Sequence, residues 1–555
     1  MTLTSILLFT AFAVLFRLLA RPQWKGWLLY AASILAVYWL QPASPVRYLD
    51  FWLPTLTLAL AVMGWALTRP VLVPGLPRPV LEPGLPRQGT LAPPPAVPTT
   101  LRASLPAAVV LAVLMLMVGL TRFLDVTGLI IPSRPPAFEQ VLAALGVVTG
   151  LALGLGALAG RTAAGKKFTA GLLWGAVALL VLLLVLLKTP PLAAAVSVVL
   201  RGLMNQSSTL AAAGDLRWLG FSYVAFRLIH TLRDRQNGRL PAVSLQEYLV
   251  YVIFFPAFTA GPIDRLERFI KDLRASTTRG KPALAAGNNP DANPRPAAGM
   301  VLPQNWPDWA AAGQRLALGL LKKFVVADSL ALVALNPSNA AQSQSAGWTW
   351  VLLIAYSLQI FFDFSGYTDI AIGLGRLLGI SLPENFNAPY LKSNLTLFWN
   401  SWHMTLTNWF RAYYFNPITR WLRTIKLPSL FSRPGAGSYG RNSENGGNAP
   451  AGLAPRLIIF VTQLSTFVLI GLWHGVTWNF VLWGVWHGVG LFAQNRWSEA
   501  MRPRYASLDS RPRLHQAVTL LSTCLTFLYV SLGWVFFALP EPALSFGVLG
   551  RLFSF

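Results

Sequence analysis

The 555-residue sequence contains one cysteine, Cys524, which lies in an apolar stretch and has no partner for a disulfide. Cysteine-based zinc sites and a Cys–His nucleophilic pair are therefore unsupported. HExxH, GxSxG, Walker and GxGxxG patterns do not occur in a suitable strand and helix context. Charged residues make up only 12% of the chain, which excludes an ordinary water-soluble protein.

Apolar residues dominate the composition instead, at 54% of the chain with a mean hydropathy of +0.51. A helix needs about 20 apolar residues to cross a bilayer, and such stretches recur along the whole sequence. The composition predicts an all-α, polytopic protein with roughly 11–14 membrane helices, located in the plasma or inner membrane among membrane lipids. The net charge of +25 comes from short basic clusters between apolar stretches, so nucleic acid is not an expected partner.

The basic residues predict the topology. No Lys or Arg precedes Arg17, whereas Arg21 and Lys25 follow it closely, so the amino terminus is expected to face outward as a signal-anchor. Counting spans from there places residues 69–102 and 161–167 on the cytoplasmic side.

Proline content and polarity suggest how the chain is divided. The predicted regions are an N-terminal transmembrane bundle (1–68), a Pro-rich cytoplasmic linker (69–105), additional transmembrane helices (106–215), a core (216–500) and C-terminal membrane helices (501–555). Polar stretches at 275–298 and 432–450 are predicted loops, the second of them within a longer loop at 426–455. No internal repeat is visible, so the inverted symmetry of many transporters has no support.

Residues 395–413 have the pattern of one amphipathic helix. Apolar residues occur at 395, 398, 399, 402, 406, 409, 410 and 413, and the opposite face holds Asn400, Ser401, Thr405 and Asn408. Such a helix would lie at the membrane interface or line a polar cavity as a short buried element.

His474 is the leading candidate for chemistry. It ends an apolar run that begins after Arg456, and 18 helical residues would carry it about 27 Å into the membrane. Burial there keeps an imidazole neutral, so that it can accept a proton from a hydroxyl, as acyl transfer from a thioester to an alcohol requires. The alternative is a packed histidine bonded to a neighbouring helix.

Two further histidines lie in similar surroundings. His403 follows Trp399 by four residues, next to Asn400 and Thr407 on the predicted helix, and would orient a substrate carbonyl or be an interfacial residue satisfied by water. His487 lies 13 residues after His474, about 20 Å along a continuous helix, so a pair would require a sharp turn.

Two carboxylates lie in the apolar segment 361–369. Asp363 and Asp369 are six residues apart and do not share a helical face, so paired acid–base chemistry is not expected. A structural role is favoured, with Tyr367, Arg376 or a backbone amide as partners.

Motifs across roughly 216–500 resemble those of bacterial membrane-bound O-acyltransferases. They are Phe254–Pro256 with Gly261–Arg265, Gly319–Lys323 with Ala327–Asp328, Phe361–Asp369, Pro383–Tyr390, Phe398–Trp399 with Trp402–Leu406, and Leu472–Gly475. The resemblance implies a roughly cylindrical helical fold with a central tunnel, with His474 as the catalytic histidine and His403 as the second histidine of the tunnel. The core at 216–500 would then be the catalytic region.

The resemblance also implies further site residues. Substrate-tunnel residues would be Trp399, Asn400, Trp402, Trp473, Trp478, Asp363 and Asn385, and donor-binding residues would be Arg265, Lys322 and Lys323. Topology signalling explains these basic residues equally well, and an aromatic belt explains the tryptophans. The family commonly has basic residues where Asn400 and Ser401 stand here, and an acidic residue where Ala412 stands. No metal and no tightly bound cofactor are expected.

The predicted function is transfer of an acetyl or other short acyl group from a thioester donor to a hydroxyl of an exported polysaccharide or cell-envelope glycan. The donor would be acyl-CoA or an acyl carrier protein, and the extracytoplasmic glycan would be reached directly or through a second acyltransferase protein. The order and residues of the motifs are similar to those of the family branch that contains the enzymes of alginate O-acetylation and teichoic-acid D-alanylation. D-alanyl transfer to teichoic acid, a transporter or flippase, and a non-catalytic export scaffold are the alternatives.

Overall fold

The computed structural model describes residues 2–69, 101–124, 131–160, 165–278, 306–425, 455–506 and 510–554, and these contain helices and no β-strand. Most of the predicted linker at 69–105 and nearly all of the predicted loop at 426–455 lie outside the described residues, as does 279–298 of the loop predicted at 275–298.

The described helices of the first half are α1 (Leu3–Leu19), α2 (Pro22–Trp39), α3 (Leu49–Thr68), α4 (Leu101–Leu120), α5 (Phe138–Gly160), α6 (Gly165–Lys188), α7 (Pro190–Leu203), α8 (Phe221–Gln236), α9 (Leu245–Val252), α10 (Leu266–Thr278) and α11 (Trp306–Leu320). Those of the second half are α12 (Asp328–Ala331), α13 (Pro337–Gln342), α14 (Ala346–Leu378), α15 (Leu395–Trp399), α16 (Met404–Phe410), α17 (Asn416–Thr424), α18 (Pro455–His474), α19 (Trp478–Ala506), α20 (Pro512–Ala538) and α21 (Pro542–Leu552).

Seven of the described helices are long and apolar enough to cross a membrane. They are Leu49–Thr68, Arg102–Phe123, Phe138–Leu158, Phe168–Lys188, Ala346–Leu378, Pro455–His474 and Pro512–Ala538. Three shorter apolar helices, Leu3–Leu19, Pro190–Leu203 and Leu245–Ala257, accompany them. The prediction of an all-α, multi-pass membrane protein is confirmed. The seven full-length spans fall below the predicted 11–14, and that number stays a prediction.

The chain forms two compact units. The first contains Met1–Leu318 and Asp369–Pro383, and the second contains Gly319–Thr368 and Glu384–Phe555. In the first unit, the buried Arg227 guanidinium donates to the backbone carbonyls of Val252 and Ala257, at 2.8 and 2.7 Å. These bonds satisfy one carbonyl at the end of α9 and one in the 3-10 turn Phe255–Ala257 that follows it.

A tight hairpin of α18 and α19 organises the second unit. A Cβ at Gly471 would lie 2.1 Å from the carbonyl oxygen of Phe480, and one at Gly484 would lie 2.6 Å from that of Phe467. Only glycine allows this approach of two helix backbones. The helices reverse within three residues, where the Thr477 amide donates to the Gly475 carbonyl at 3.0 Å.

The single helix predicted for residues 395–413 is wrong, because the chain breaks between α15 and α16. His403 has φ +42°, a left-handed conformation that ends one helix and begins the next. Two backbone bonds to a distant segment hold the break: the Met404 amide donates to the Asn385 carbonyl at 2.9 Å, and the Asn387 amide donates to the Ser401 carbonyl at 3.0 Å. These bonds compensate for the helical ones that are lost.

Candidate active site

Asn385 fixes the orientation of the His403 ring. The Asn385 side-chain oxygen accepts from the Thr405 amide at 3.3 Å and from the Thr405 hydroxyl at 2.6 Å, which identifies it as an acceptor. It lies 3.3 Å from Nδ1 of His403. Nδ1 is therefore the protonated nitrogen, and the lone pair of the neutral ring is on Nε2.

The Nε2 atom of His403 is buried and has no hydrogen-bond partner among the described residues. The ring packs roughly perpendicular to that of Phe364, with the two centroids 4.6 Å apart. Burial in these apolar surroundings lowers the pKa of His403 below its ordinary value. The side chain can therefore act as a neutral acceptor of one hydrogen bond or proton.

His474 is the last residue of α18, next to the hairpin turn, and it is half-buried. Its ring contacts Trp473, Phe480 and Phe537, with centroids 4.5, 5.9 and 4.7 Å away. The imidazole therefore remains accessible within an aromatic surround and is not sealed inside the helix packing.

Trp473 connects the two candidate histidines. Its ring centroid is 6.4 Å from that of His403 and 4.5 Å from that of His474. The structure therefore brings these two predicted residues and Trp473 together within one unit, although 70 residues separate them in the sequence.

His487 was not predicted as a site residue, yet it is fully buried beside this group. Its ring centroid lies 4.9 Å from those of both Trp399 and Trp483, and Trp483 also contacts His474 at 6.0 Å. Neither ring nitrogen of His487 has a hydrogen-bond partner among the described residues. The sequence signal was available, because Trp486–Gly488 repeats the Trp-His-Gly of residues 473–475.

The predicted tunnel residues divide into buried and exposed groups. Trp399 and Trp402 are 6% and 5% exposed, and Trp402 contacts Trp534 at 5.2 Å. Asn400 instead lies on the surface, where it accepts a 2.7 Å hydrogen bond from Arg411. Trp478 is 74% exposed, which favours a position at the membrane interface over a tunnel wall.

The predicted donor-binding lysines lie in a π-helical turn, Leu321–Ala327, that continues α11. Lys323 forms an ion pair with Asp363 of α14. A Cβ at Gly366 would lie 2.9 Å from both the Gly319 carbonyl oxygen and the Lys323 amide nitrogen, so this glycine allows the turn to pack on α14. Lys322 is half-buried in the same turn. π-helical turns are frequent at functional sites.

The other predicted charges belong to the first unit. Arg265 is exposed there, after the buried Asp264, which forms an ion pair with Arg268. Asp369 forms an ion pair with Arg315. Asp363 and Asp369 thus each form an ion pair with a basic residue, Lys323 and Arg315, that was not among the expected partners, and their structural role stays a prediction. Within the described parts of the chain, no group of three His, Cys, Asp or Glu side chains is placed to hold a metal ion.

These observations define the class of the protein: it is a polytopic helical membrane protein with a pair of histidines that aromatic rings surround. Residues 144–433, just over half of the chain, match the family model of the membrane-bound O-acyltransferases. The chain belongs to this family, whose name indicates acyl-group transfer. The match includes His403 and ends before His474.

The names of three curated relatives indicate three different acceptors. The chain is 26% identical over 325 residues to "Teichoic acid D-alanyltransferase" of Bacillus subtilis, covering 58% of this chain and 69% of that protein. It is 28% identical over 338 residues to "Probable alginate O-acetylase AlgI" of Pseudomonas putida, covering 61% and 55%. It is 30% identical over 292 residues to "Peptidoglycan O-acetyltransferase" of Helicobacter pylori, covering 52% and 43%. The chain therefore spans less than two thirds of the length of the second and third relatives.

Proposed function

We propose that this protein transfers an acetyl or similar short acyl group from a thioester donor to a hydroxyl of an exported cell-envelope glycan. The contact of Trp473 with both His403 and His474 carries the proposal, because it assembles two imidazoles around one aromatic ring. The relatives named for teichoic acid, alginate and peptidoglycan support a glycan or glycan-like acceptor.

His474 is proposed as the general base. The hydroxyl proton passes to its imidazole as the hydroxyl oxygen bonds to the thioester carbonyl carbon. The carbon–sulfur bond then breaks, and the departing thiolate takes the proton back from the imidazolium. The ester and the free thiol are the products, and no additional reactant is required.

His403 is proposed to position the reacting groups. With Nδ1 donating to Asn385, its Nε2 atom can accept a hydrogen bond from a second hydroxyl of the acceptor glycan, next to the hydroxyl whose proton passes to His474. Trp399, Trp402 and Trp473 would line the passage, and Lys322 and Lys323 would bind phosphates of a coenzyme A or carrier-bound pantetheine. Arg265 is a further proposed phosphate ligand.

The test uses the full chain in proteoliposomes with a labelled acetyl thioester and an acceptor glycan. We expect labelled ester on the glycan from the unaltered protein and a loss of about 10²–10⁴-fold for His474→Ala. His515→Ala removes an exposed histidine at the start of α20 and is expected to retain turnover.

The acids released by base identify the acyl group. Acetate supports the O-acetyl transfer proposed here, whereas D-alanine identifies the D-alanyl alternative. Glycan movement across the bilayer without ester formation would overturn the proposal in favour of a transporter, and full activity of His474→Ala would remove the assigned base.

A further inference from the structure

A groove of about 600 Å³ lies in the first unit. Its lining residues are distant in the sequence from both candidate histidines. Fourteen residues from four helices line it: Leu60, Met63, Gly64, Leu67, Leu155, Phe168, Gly171, Leu172, Gly175, Ala176, Leu179, Leu180, Leu228 and Leu232. None carries a polar side chain. The volume is that of a ligand pocket, and the lining is that of a hydrocarbon site.

The groove is open on the side of α6. Phe168 and Leu179 are 49% and 48% exposed, and a Cβ at Gly171 or Gly175 would meet nothing within 4 Å. Gly171, Gly175 and Leu179 are spaced four residues apart, so they lie on one face of the helix. Only 17% of the apolar window of α6 is buried, so this face would contact lipid in a membrane.

One end of the groove is basic. Arg69 caps α3 two residues after Leu67, and its guanidinium nitrogen lies 2.5 Å from the Cβ position of Gly156 on α5. Arg233 follows the lining residue Leu232 on α8. Its guanidinium lies 4.2 Å from the ring centroid of Trp174, so it packs against α6.

Arg235 is half-buried near this end of α8, whereas the intervening Asp234 faces His230 at 2.9 Å. Gly64 and Leu228 also approach each other closely, and Arg69 and Arg233 each follow five residues further along their helices.

We propose that this groove binds one acyl chain of an anionic phospholipid, with its phosphate at Arg69, Arg233 and Arg235. The lining on α6 runs from Phe168 to Leu180, about 18 Å along the helix axis, which suits an extended acyl chain. Guanidinium groups are favourable partners for phosphate. The topology predicted from basic residues puts this end at the cytoplasmic leaflet.

The test uses the full chain in nanodiscs containing either phosphatidylglycerol or phosphatidylcholine with a photoactivatable group on the acyl chain. We expect phosphatidylglycerol to label peptides of α3, α6 and α8. The double variant Gly171→Phe with Gly175→Phe fills the groove and is expected to lower this labelling about fivefold or more. The double variant Gly146→Phe with Gly150→Phe places the same side chains at open positions on α5 and is expected to leave it unchanged.

A second arm tests the charge. Arg69→Gln with Arg235→Gln is expected to lower phosphatidylglycerol labelling about fivefold or more and to leave phosphatidylcholine labelling unchanged. Competition between unlabelled phosphatidylglycerol and phosphatidylcholine for the groove of the unaltered protein measures the same preference. This measurement does not depend on the folding of any variant. Equal labelling by the two lipids, or undiminished labelling of a folded groove-filling variant, would overturn the proposal.

Discussion

The Nδ1 atom of His403 lies 3.3 Å from the side-chain oxygen of Asn385, which the Thr405 amide and hydroxyl also approach. The backbone carbonyl of Asn385 accepts from the Met404 amide as well. One buried asparagine therefore holds both the chain break at His403 and the direction of its ring. The lone pair on Nε2 depends on this arrangement.

Asn385→Ala is expected to reduce acyl transfer about tenfold or more and to lower the Tm. The substitution leaves the Thr405 donors and His403 Nδ1 without their acceptor, and each buried donor without a partner costs about 1–3 kcal/mol. Initial rates with a labelled thioester and thermal unfolding in detergent measure the two effects. Asn387→Ala, an exposed asparagine two residues away, is the matched control. Equal behaviour of the two variants would show that the side chain of Asn385 does not orient His403.

His403→Asn is expected to fold with a higher Tm than His403→Val, although both lose activity with the imidazole. The residue has φ +42°, a conformation that asparagine tolerates and that β-branched residues avoid. The difference should be about 1–2 kcal/mol in unfolding free energy. Thermal unfolding of the two purified variants measures it. If the valine variant is at least as stable, the left-handed turn is not a feature of the folded protein.

Apolar periodicity predicted the class of fold because burial in lipid acts on each helix separately. It predicted His474 for the same reason, since an ionisable group at the end of an apolar run is visible in the sequence alone. The break at His403 could not be predicted in this way. Its backbone bonds go to Asn385 and Asn387, and residues 395–413 keep a helical pattern on both sides of the turn.

The Trp-His-Gly motif marks His487 in the sequence, but its position in the fold could not be predicted from that motif. Helical spacing separates it from His474, and only the close approach of α18 and α19 at Gly471 and Gly484 places both rings against Trp483. Glycines in apolar helices predict close packing but not the partner helix. The roles of Trp399, Trp402 and Trp473 stay predictions from family resemblance, although their positions agree with a shared aromatic site.

Lys323→Ala is expected to raise the KM for the acyl thioester several-fold while changing the unfolding free energy by less than about 1 kcal/mol. The half-exposed Asp363 can be solvated when its partner is lost, and such ion pairs contribute little to stability. Steady-state kinetics at several donor concentrations separates KM from kcat. Lys392→Ala removes another half-buried lysine of the same unit and should leave the KM unchanged. An unchanged KM in Lys323→Ala would remove this residue from the proposed donor site.

Gly533→Ala is expected to lower the Tm through a clash with His487. A Cβ at this position would lie 2.5 Å from His487 Nε2 and 2.9 Å from Trp486 Cδ1. The His487 ring cannot move away easily, because Trp399 and Trp483 each pack against it at 4.9 Å. Overpacking of this kind costs about 1–3 kcal/mol. Gly547→Ala, on α21 with nothing within 4 Å, is the matched control.

The same clash predicts coupling between the two positions. His487→Ala removes the ring that the new Cβ would meet. Gly533→Ala should therefore destabilise the His487→Ala variant less than it destabilises the unaltered protein, and the difference should be roughly 0.5–3 kcal/mol. A double-mutant cycle of thermal unfolding in detergent measures the difference. Because His487 has no hydrogen-bond partner among the described residues, His487→Phe should also retain more stability than His487→Ala. Additive effects of Gly533→Ala and His487→Ala would contradict the contact between α19 and α20 on which this prediction depends.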